Sequence, residues 1–292
     1  MKLVYNPEGE NKPSDNTPHT LQGDNVREES KDQRQKMKDK PFKEKALYYI
    51  EYYKFTALAV AVIAAIVISI TMTIINAKDN AFCAMIVNSI LLDETKLSDS
   101  FSEYSGIDTD EYLCAVSIDS TGEYAGDAQA DVAVSSRFAA LISSKDLDIM
   151  VYNSADFELN AMNECCADLR EVLSAEDFEK YKDMMYYVDY AEIRKRAESD
   201  EMIALDYTKP TAEEIAANLE EHMNPDKYEE PIPVGIVIKD SPMVVTTECY
   251  PITTPVLGIA VNTQRLDKAI DFIHYVFDEN VDFKAIMLEG LM

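Results

Sequence analysis

The sequence has no tryptophan, and its 292 residues include only three histidines and eight glycines. Histidine is the commonest general base, so acid–base catalysis has few candidates here. The chain also lacks the Gly-x-Ser-x-Gly elbow, the phosphate-binding loop and the His-Glu-x-x-His zinc motif. These absences predict a protein that is not an enzyme and that uses no cofactor and no metal.

Positive charge is the second scarcity, since 27 Lys and Arg residues face 54 Asp and Glu residues and the formal net charge is −27. Nucleic-acid binding requires a basic surface to neutralise phosphates, which excludes that class of partner. Apolar residues nevertheless make up 47% of the chain. That share is too high for a wholly disordered acidic protein, so part of the chain must bury a core.

One uncharged apolar run stands out, at residues 55–75. As a helix it would be about 32 Å long, enough to cross a hydrocarbon core of about 30 Å. A buried helix of a soluble domain is usually shorter, and a cleaved signal peptide would begin closer to the N-terminus. The run therefore predicts an uncleaved transmembrane helix.

The flanks of this run predict its orientation and divide the chain. Nine basic residues lie between positions 27 and 54, so the N-terminus is expected in the cytoplasm and the C-terminal part outside the cell membrane. Residues 1–40 are polar and predict a disordered cytoplasmic tail, and residues 41–54 predict a juxtamembrane amphipathic helix. Residues 76–292 hold 16 basic and 44 acidic residues, a charge of −28. Such a surface either attracts basic partners or keeps the domain soluble.

After the apolar run, strand and helix patterns alternate. Three apolar runs of strand length, AFCAMIV, YLCAVSI and LDIMVY, end at Asn88, Asp119 and Asn153 and are separated by helical spacing. Runs that are apolar on both faces are typical of a parallel sheet covered by helices. Two later strands are predicted at residues 233–238 and 256–261, with a proline-broken stretch between them and a final amphipathic helix at 265–277. The fold class is therefore α/β.

Two stretches carry a family resemblance. Residues 257–280 (LGIAVNTQRLDKAIDFIHYVFDEN) and 147–173 (LDIMVYNSADFELNAMNECCADLREVL) resemble segments of type 2 extracellular solute-binding proteins, also called periplasmic-binding-protein-like. The chain is also similar to single-pass membrane proteins of Gram-positive bacteria with such a domain outside. The resemblance implies two lobes with a ligand cleft between them. We expect a domain at 79–292, with lobe 1 at 79–189 plus 256–292 and a reduced lobe 2 at 190–255.

The candidate ligand-binding residues come from a rule for open α/β sheets, which bind ligands beyond the carboxyl ends of the strands. Small polar residues also end strands simply because they favour turns, and that alternative stays open. The candidate residues are Asn88, Ser89, Ser120, Thr121, Asn153 and Asn262.

Two other patterns leave alternatives open. All five cysteines follow the apolar run. Cys83 and Cys114 lie at similar depth in neighbouring predicted strands, where they could form a disulfide or remain two buried thiols. Acidic residues recur every four positions at Asp119, Glu123, Asp127 and Asp131. This spacing is typical of a solvated helix start, although it also invites a calcium interpretation.

The sequence thus predicts a membrane-anchored protein with an external solute-binding-like domain. Its expected role is to bind a small solute or peptide, or to act as an accessory to a transporter or sensor in the cell membrane. The alternative is a cell-envelope interaction or scaffold protein whose cleft is degenerate and holds no ligand. Fold class alone does not choose between these two roles.

Overall fold

The computed structural model describes residues 41–75, 78–121, 128–199 and 212–289. The chain divides into two compact units, Met1–Ala77 and Lys78–Met292. The tail predicted at residues 1–40 lies outside the described residues, as do Glu123 and Asp127 of the acidic repeat.

The described part of the first unit is one continuous helix, α1 (Phe42–Ile75), of 34 residues. It joins the juxtamembrane and membrane segments that were predicted separately. Lys54–Thr73 is long and apolar enough to cross a membrane. Two of its polar residues, Thr71 and Thr73, donate hydroxyl hydrogen bonds to carbonyl groups one turn earlier, on Val67 and Ser69. Such internal pairing is what a helix in hydrocarbon requires of its polar groups.

The second unit is built on one six-stranded mixed sheet with the strand order β2-β1-β3-β6-β5-β4. Strands β1, β2 and β3 are parallel, whereas β6 runs antiparallel to both β3 and β5, and β4 runs antiparallel to β5. The strands are β1 (Asp79–Val87), β2 (Tyr112–Asp119), β3 (Ile149–Asn153), β4 (Met185–Asp189), β5 (Pro231–Val237) and β6 (Pro255–Ile259). The α/β class predicted from the sequence is confirmed.

Helices cover both faces of this sheet, which explains why the central strands are apolar on both sides. Alternate residues of β1 enter opposite cores, with Phe82, Ala84 and Ile86 on one side and Cys83 and Met85 on the other. The first face is covered mainly by α2 (Glu94–Ser105), α5 (Leu169–Val172), α6 (Ala175–Tyr181), α9 (Pro242–Thr247) and α10 (Leu266–Val276). The second face is covered by α3 (Ala128–Ser144), α4 (Ser154–Met162), α7 (Tyr190–Ser199) and α8 (Ala212–His222).

A single buried ring explains two of the scarce glycines. An added Cβ at Gly258 in β6 would lie 2.8 Å from two ring carbons of Phe157, and one at Gly235 in β5 would lie 2.7 Å from the same ring. Phe157 is fully buried and packs edge-on against Tyr186, with ring centroids 5.2 Å apart. The glycines let α4 approach neighbouring strands closely, which a side chain at either position would prevent.

Residues 190–255, which the sequence predicts as a reduced second lobe, contribute to this same sheet. Strand β5 comes from the range 190–255, and it lies between β4 and β6. Helices α7, α8 and α9 come from that range as well, and residues of each pack against the cores of the sheet. The described part of 190–255 therefore extends the first lobe instead of building a second sheet.

Candidate functional site

The carboxyl ends of β1 and β2 bring four of the six predicted residues together, Asn88 and Ser89 after β1 and Ser120 and Thr121 after β2. Asn88 follows β1 with a left-handed φ of 63° and is 2% exposed. Its backbone N–H donates to the carbonyl of Asp119, and its side-chain oxygen accepts from the backbone N–H of Thr121 at 2.8 Å and from the Thr121 hydroxyl at 3.0 Å. Ser120 lies between Asp119 and Thr121, after the end of β2, and is exposed. Asn88 thus uses its acceptor to hold two strand ends together.

Asn153 lies at the same edge of the sheet. Ile86 of β1 pairs with Val151 of the parallel strand β3. Asn88 comes two residues after Ile86 and Asn153 two residues after Val151, so the two asparagines lie at the same level. The Asn153 side chain caps α4 by accepting from the backbone N–H of Asp156 at 2.9 Å, while its amide donates to the Asp156 carboxylate at 2.8 Å. This is the ordinary work of an N-cap asparagine.

Asn262 lies at the opposite edge of the sheet, contrary to its place in the predicted set. Strand β6 is antiparallel to β3, with Asn153 opposite Pro255 and Ile149 opposite Ile259, so the end of β6 lies beside the start of β3. The Asn262 amide donates to the carbonyl of Ile142 at the end of α3. The prediction assumed a strand parallel to its neighbours, and an apolar run carries no information on strand direction.

Residues 241–254, read from the sequence as a proline-broken connection, form α9 and a following loop that covers the candidate edge. The Tyr250 hydroxyl donates to the carbonyl of Val87 at 2.8 Å. The N–H of Ile90 donates to the carbonyl of Cys249 at 2.9 Å, and the N–H of Ser154 donates to the carbonyl of Thr254 at 2.9 Å. Backbone groups of Val87, Ile90 and Ser154, at or just after the ends of β1 and β3, are therefore paired with this segment instead of being open to a ligand.

The start of α9 carries a helix-capping signature in the sequence. Ser241 is the N-cap of α9 and accepts from the N–H of Val244, and Pro242 occupies the first helical position. A serine N-cap followed by proline at the first position is a recognised helix start. Met243 and Thr247 are fully buried on the first face of the sheet, which anchors the helix there.

Among the residues that the structure describes, three buried side-chain oxygens at this edge have no hydrogen-bond partner. They are the hydroxyls of Ser89 and Ser154, which follow β1 and β3, and one carboxylate oxygen of Asp119, which ends β2. The other oxygen of Asp119 pairs with the guanidinium of Arg137 at 3.1 Å. Buried polar atoms without partners are uncommon in folded proteins and mark places where a small polar molecule can be held.

A buried ion pair stabilises the opposite edge. The carboxylate of Asp148, at 0% exposure, accepts from the N–H of Cys83 at 2.8 Å, from Arg265 Nε at 2.9 Å and from the Thr263 hydroxyl. Burial raises the pKa of Asp148, and these hydrogen bonds oppose that rise. The same guanidinium donates to the carbonyl of Asp146 at 2.6 Å. This ion pair joins β1, the start of β3 and the turn before α10.

A second polar cluster lies under α8, on the second face of the sheet. His222 is 6% exposed and its ring stacks on Tyr186, with centroids 4.4 Å apart and planes 12° apart. Glu158 on α4 lies on one side of the imidazole and Tyr228 on the other. These partners are separated from His222 by up to 64 positions in sequence, so the chain order alone gave no sign of the cluster.

All five cysteines are free thiols. Cys83 pairs in register with Ala115, and Cys114 pairs with Phe82, because the register shifts between Asn80 and Phe82. The two sulfurs therefore enter opposite cores and cannot form the disulfide that the sequence left open. Burial, reinforced by the charge of Asp148, raises the pKa of Cys83 to about 11.

No family model matches this chain, and neither does any curated protein or solved structure. Among the described residues, no group of three or more His, Cys, Asp or Glu side chains is placed to hold a metal ion.

Proposed function

We propose that this chain is a single-pass membrane protein whose external α/β domain binds other proteins of the membrane or cell envelope. The proposed membrane anchor is Lys54–Thr73, which is long and apolar enough to span a bilayer. Its orientation, with the N-terminus in the cytoplasm, follows from the basic residues that precede the span.

The observation that favours protein binding over solute capture is the covering of the strand ends. Ligands of open α/β sheets bind where the carboxyl ends of the strands are accessible. Here Cys249, Tyr250 and Thr254 occupy the hydrogen-bonding groups at the ends of β1 and β3. The side-chain oxygens of Asn88 and Asn153 already accept hydrogen bonds from backbone N–H groups of neighbouring segments. Few groups are left to recognise a solute.

The charge of the domain suggests the chemistry of its partner. Residues 76–292 carry a formal charge of −28. Complementary charge accelerates association and selects partners, so the domain suits a partner with a basic surface. In this view the acidic surface directs binding and the covered strand ends stabilise the fold.

A second candidate function is retention of a small polar solute at the same edge. It is favoured by the buried oxygens of Ser89, Ser154 and Asp119, which have no hydrogen-bond partner within the described part of the chain. A small molecule that donates hydrogen bonds would satisfy groups whose burial otherwise costs free energy. The exposed Ser120 lies next to Asp119 and would border such a site.

A melting screen separates the two functions. The full-length chain in detergent is melted with amino acids, sugars, short peptides and metal ions, and unfolding is followed by circular dichroism. Protein binding predicts no change with any of these molecules, whereas a bound solute stabilises the folded state by an amount that grows with the logarithm of its concentration once the site is saturated. A rise that Ser89→Ala abolishes, while the exposed-site control Ser136→Ala preserves it, would establish the second function and refute the first.

The membrane topology has a separate test. A protease added to intact cells should digest the part of the chain after residue 78 and leave a tag at the N-terminus protected. Digestion of the N-terminal tag with protection of the C-terminal domain would reverse the proposed orientation.

A further inference from the structure

The imidazole of His222 lies where three elements meet: α8, which it ends; β4, through Tyr186 and Tyr187; and the turn that carries Tyr228. Its Nδ1 lies 2.7 Å from the backbone carbonyl oxygen of Tyr187 and 2.9 Å from the hydroxyl of Tyr228. A carbonyl oxygen only accepts hydrogen bonds, so Nδ1 must carry a proton in this arrangement. The Tyr228 hydroxyl oxygen then lies beside the same N–H as a second acceptor.

The other ring nitrogen is therefore the one that gains or loses a proton. His222 Nε2 lies 3.7 Å from a carboxylate oxygen of Glu158 on α4. The other carboxylate oxygen accepts from the side-chain amide of Asn218, on α8, at 3.1 Å. The nearby imidazole of His222, together with the hydrogen bond from Asn218, lowers the pKa of Glu158 in spite of its burial, so this carboxyl group is ionised near neutral pH.

The two protonation states of His222 make opposite contacts with Glu158. The imidazolium donates Nε2–H towards a carboxylate and forms an ion pair between α8 and α4. The neutral ring, with its proton kept on Nδ1, directs the Nε2 lone pair at the same negative charge. The first contact attracts the two helices and the second repels them.

The remaining charged groups around the cluster are mostly acidic. Arg196 on α7 is a cation that acts on Glu158, and it also pairs with Glu192. The C-terminal end of α8 itself favours a cation, because the carbonyl groups there carry partial negative charge. The titratable groups that act on Glu158, Tyr186 or Tyr228 from the packed elements are Cys166, Asp189, Glu192, Arg196 and Glu221.

We propose that His222 is a pH-sensitive latch, which holds α8 against α4 and β4 when its ring is doubly protonated and releases the helix when Nε2 loses its proton. Release would uncover the buried ring of Tyr186 and the side chain of Val188 on the second face of the sheet. For an external domain, the pH of the surroundings would then control how often this part of the surface opens. The latch acts independently of whether the domain binds a protein or a solute.

Hydrogen exchange on the full-length chain in lipid nanodiscs tests the latch. Exchange of peptides covering residues 216–224 is measured at pH 5.5 and pH 8.0, on either side of the ordinary histidine range, and corrected for the intrinsic effect of pH. The opening equilibrium of α8 should rise by about fivefold at pH 8.0, the size expected for one partly exposed ion pair. Equal opening at the two pH values would overturn the proposal.

Variants assign the effect to the latch. His222→Gln should make opening independent of pH, because glutamine does not titrate. Glu158→Gln should weaken the pH response, because it removes the carboxylate that faces Nε2. His274→Gln is the matched control, since His274 pairs with Asp177 away from α8 and should keep the wild-type response. A pH response in Glu158→Gln as large as that of the wild type would overturn the proposal even if His222→Gln failed to fold.

Discussion

The close approach of Phe157 to two glycines makes Gly258→Ala the most informative single test of the packing. The new Cβ would lie 2.8 Å from the Cε2 and Cζ atoms of Phe157 and 3.3 Å from the carbonyl oxygen of Val234. Carbon atoms normally pack about 3.5–4.0 Å apart, so the ring must move by roughly 1 Å. Because Phe157 is fully buried and packs against Tyr186, it has no free space to move into.

Overpacking of this kind typically costs about 1–3 kcal/mol. For a domain of this size each kcal/mol lowers the melting temperature by about 2–4 °C, so Gly258→Ala should melt roughly 2–12 °C below the wild type. Thermal melting and urea denaturation of the full-length chain, followed by circular dichroism, measure the change. The control is Gly106→Asn at the left-handed C-cap of α2, where an added Cβ meets no atom within 4 Å and asparagine tolerates the backbone conformation.

A double-mutant cycle with Phe157→Leu checks the cause. The smaller side chain should itself destabilise the domain by leaving a cavity, but it should also relieve the clash with the alanine. The double mutant is therefore expected to be more stable than the sum of the two single changes implies. A neutral Gly258→Ala, or strictly additive changes, would refute the argument that the ring requires glycine at this position.

Three further predictions follow from the buried contacts. Arg265→Met leaves the carboxylate of Asp148 buried without its cation and should lower the free energy of unfolding by about 3–5 kcal/mol, measured by urea denaturation. Tyr250→Phe removes the hydrogen bond to the carbonyl of Val87 and should cost about 1–2 kcal/mol in the same assay. Alkylation of the folded chain at pH 8, mapped by mass spectrometry, should label Cys165 first, because it is half-buried and the other four thiols are buried.

Each of these predictions has its own control or contrary outcome. Tyr112→Phe, at an exposed tyrosine, should leave the unfolding free energy unchanged. Adding Asp148→Asn to Arg265→Met should recover part of the lost stability, since it removes the unpaired charge. Early labelling of Cys249, whose burial raises its pKa to about 11, would contradict the described packing.

Much of the fold could be predicted because its elements are strongly patterned. The apolar runs that form β1, β2 and β3 are short, bounded by turn residues and separated by helical spacing. The amphipathic pattern of α10 likewise predicts a helix at residues 265–277, close to the observed Leu266–Val276. These features depend on local sequence, which is all that such patterns report.

The direction and neighbours of the later strands could not be predicted in the same way. The runs that form β5 and β6 are apolar whether they lie in a second lobe or in the middle of one sheet. An apolar run carries no information on strand direction either, so Asn262 was expected at the edge where parallel strands end, whereas antiparallel β6 ends at the opposite edge. The covering of the candidate site by Cys249 and Tyr250 is likewise a tertiary contact, made to residues more than 150 positions away.

The central claim is that residues 241–254 close the ends of β1 and β3, and amide hydrogen exchange at those ends tests it most directly. The N–H groups of Ile90 and Ser154 donate to the carbonyls of Cys249 and Thr254, so we expect both to be protected in the full-length chain at neutral pH. Protection similar to that of the neighbouring strands would support a closed edge. Rapid exchange of both groups would mean that the segment does not cover the edge, and would contradict the account.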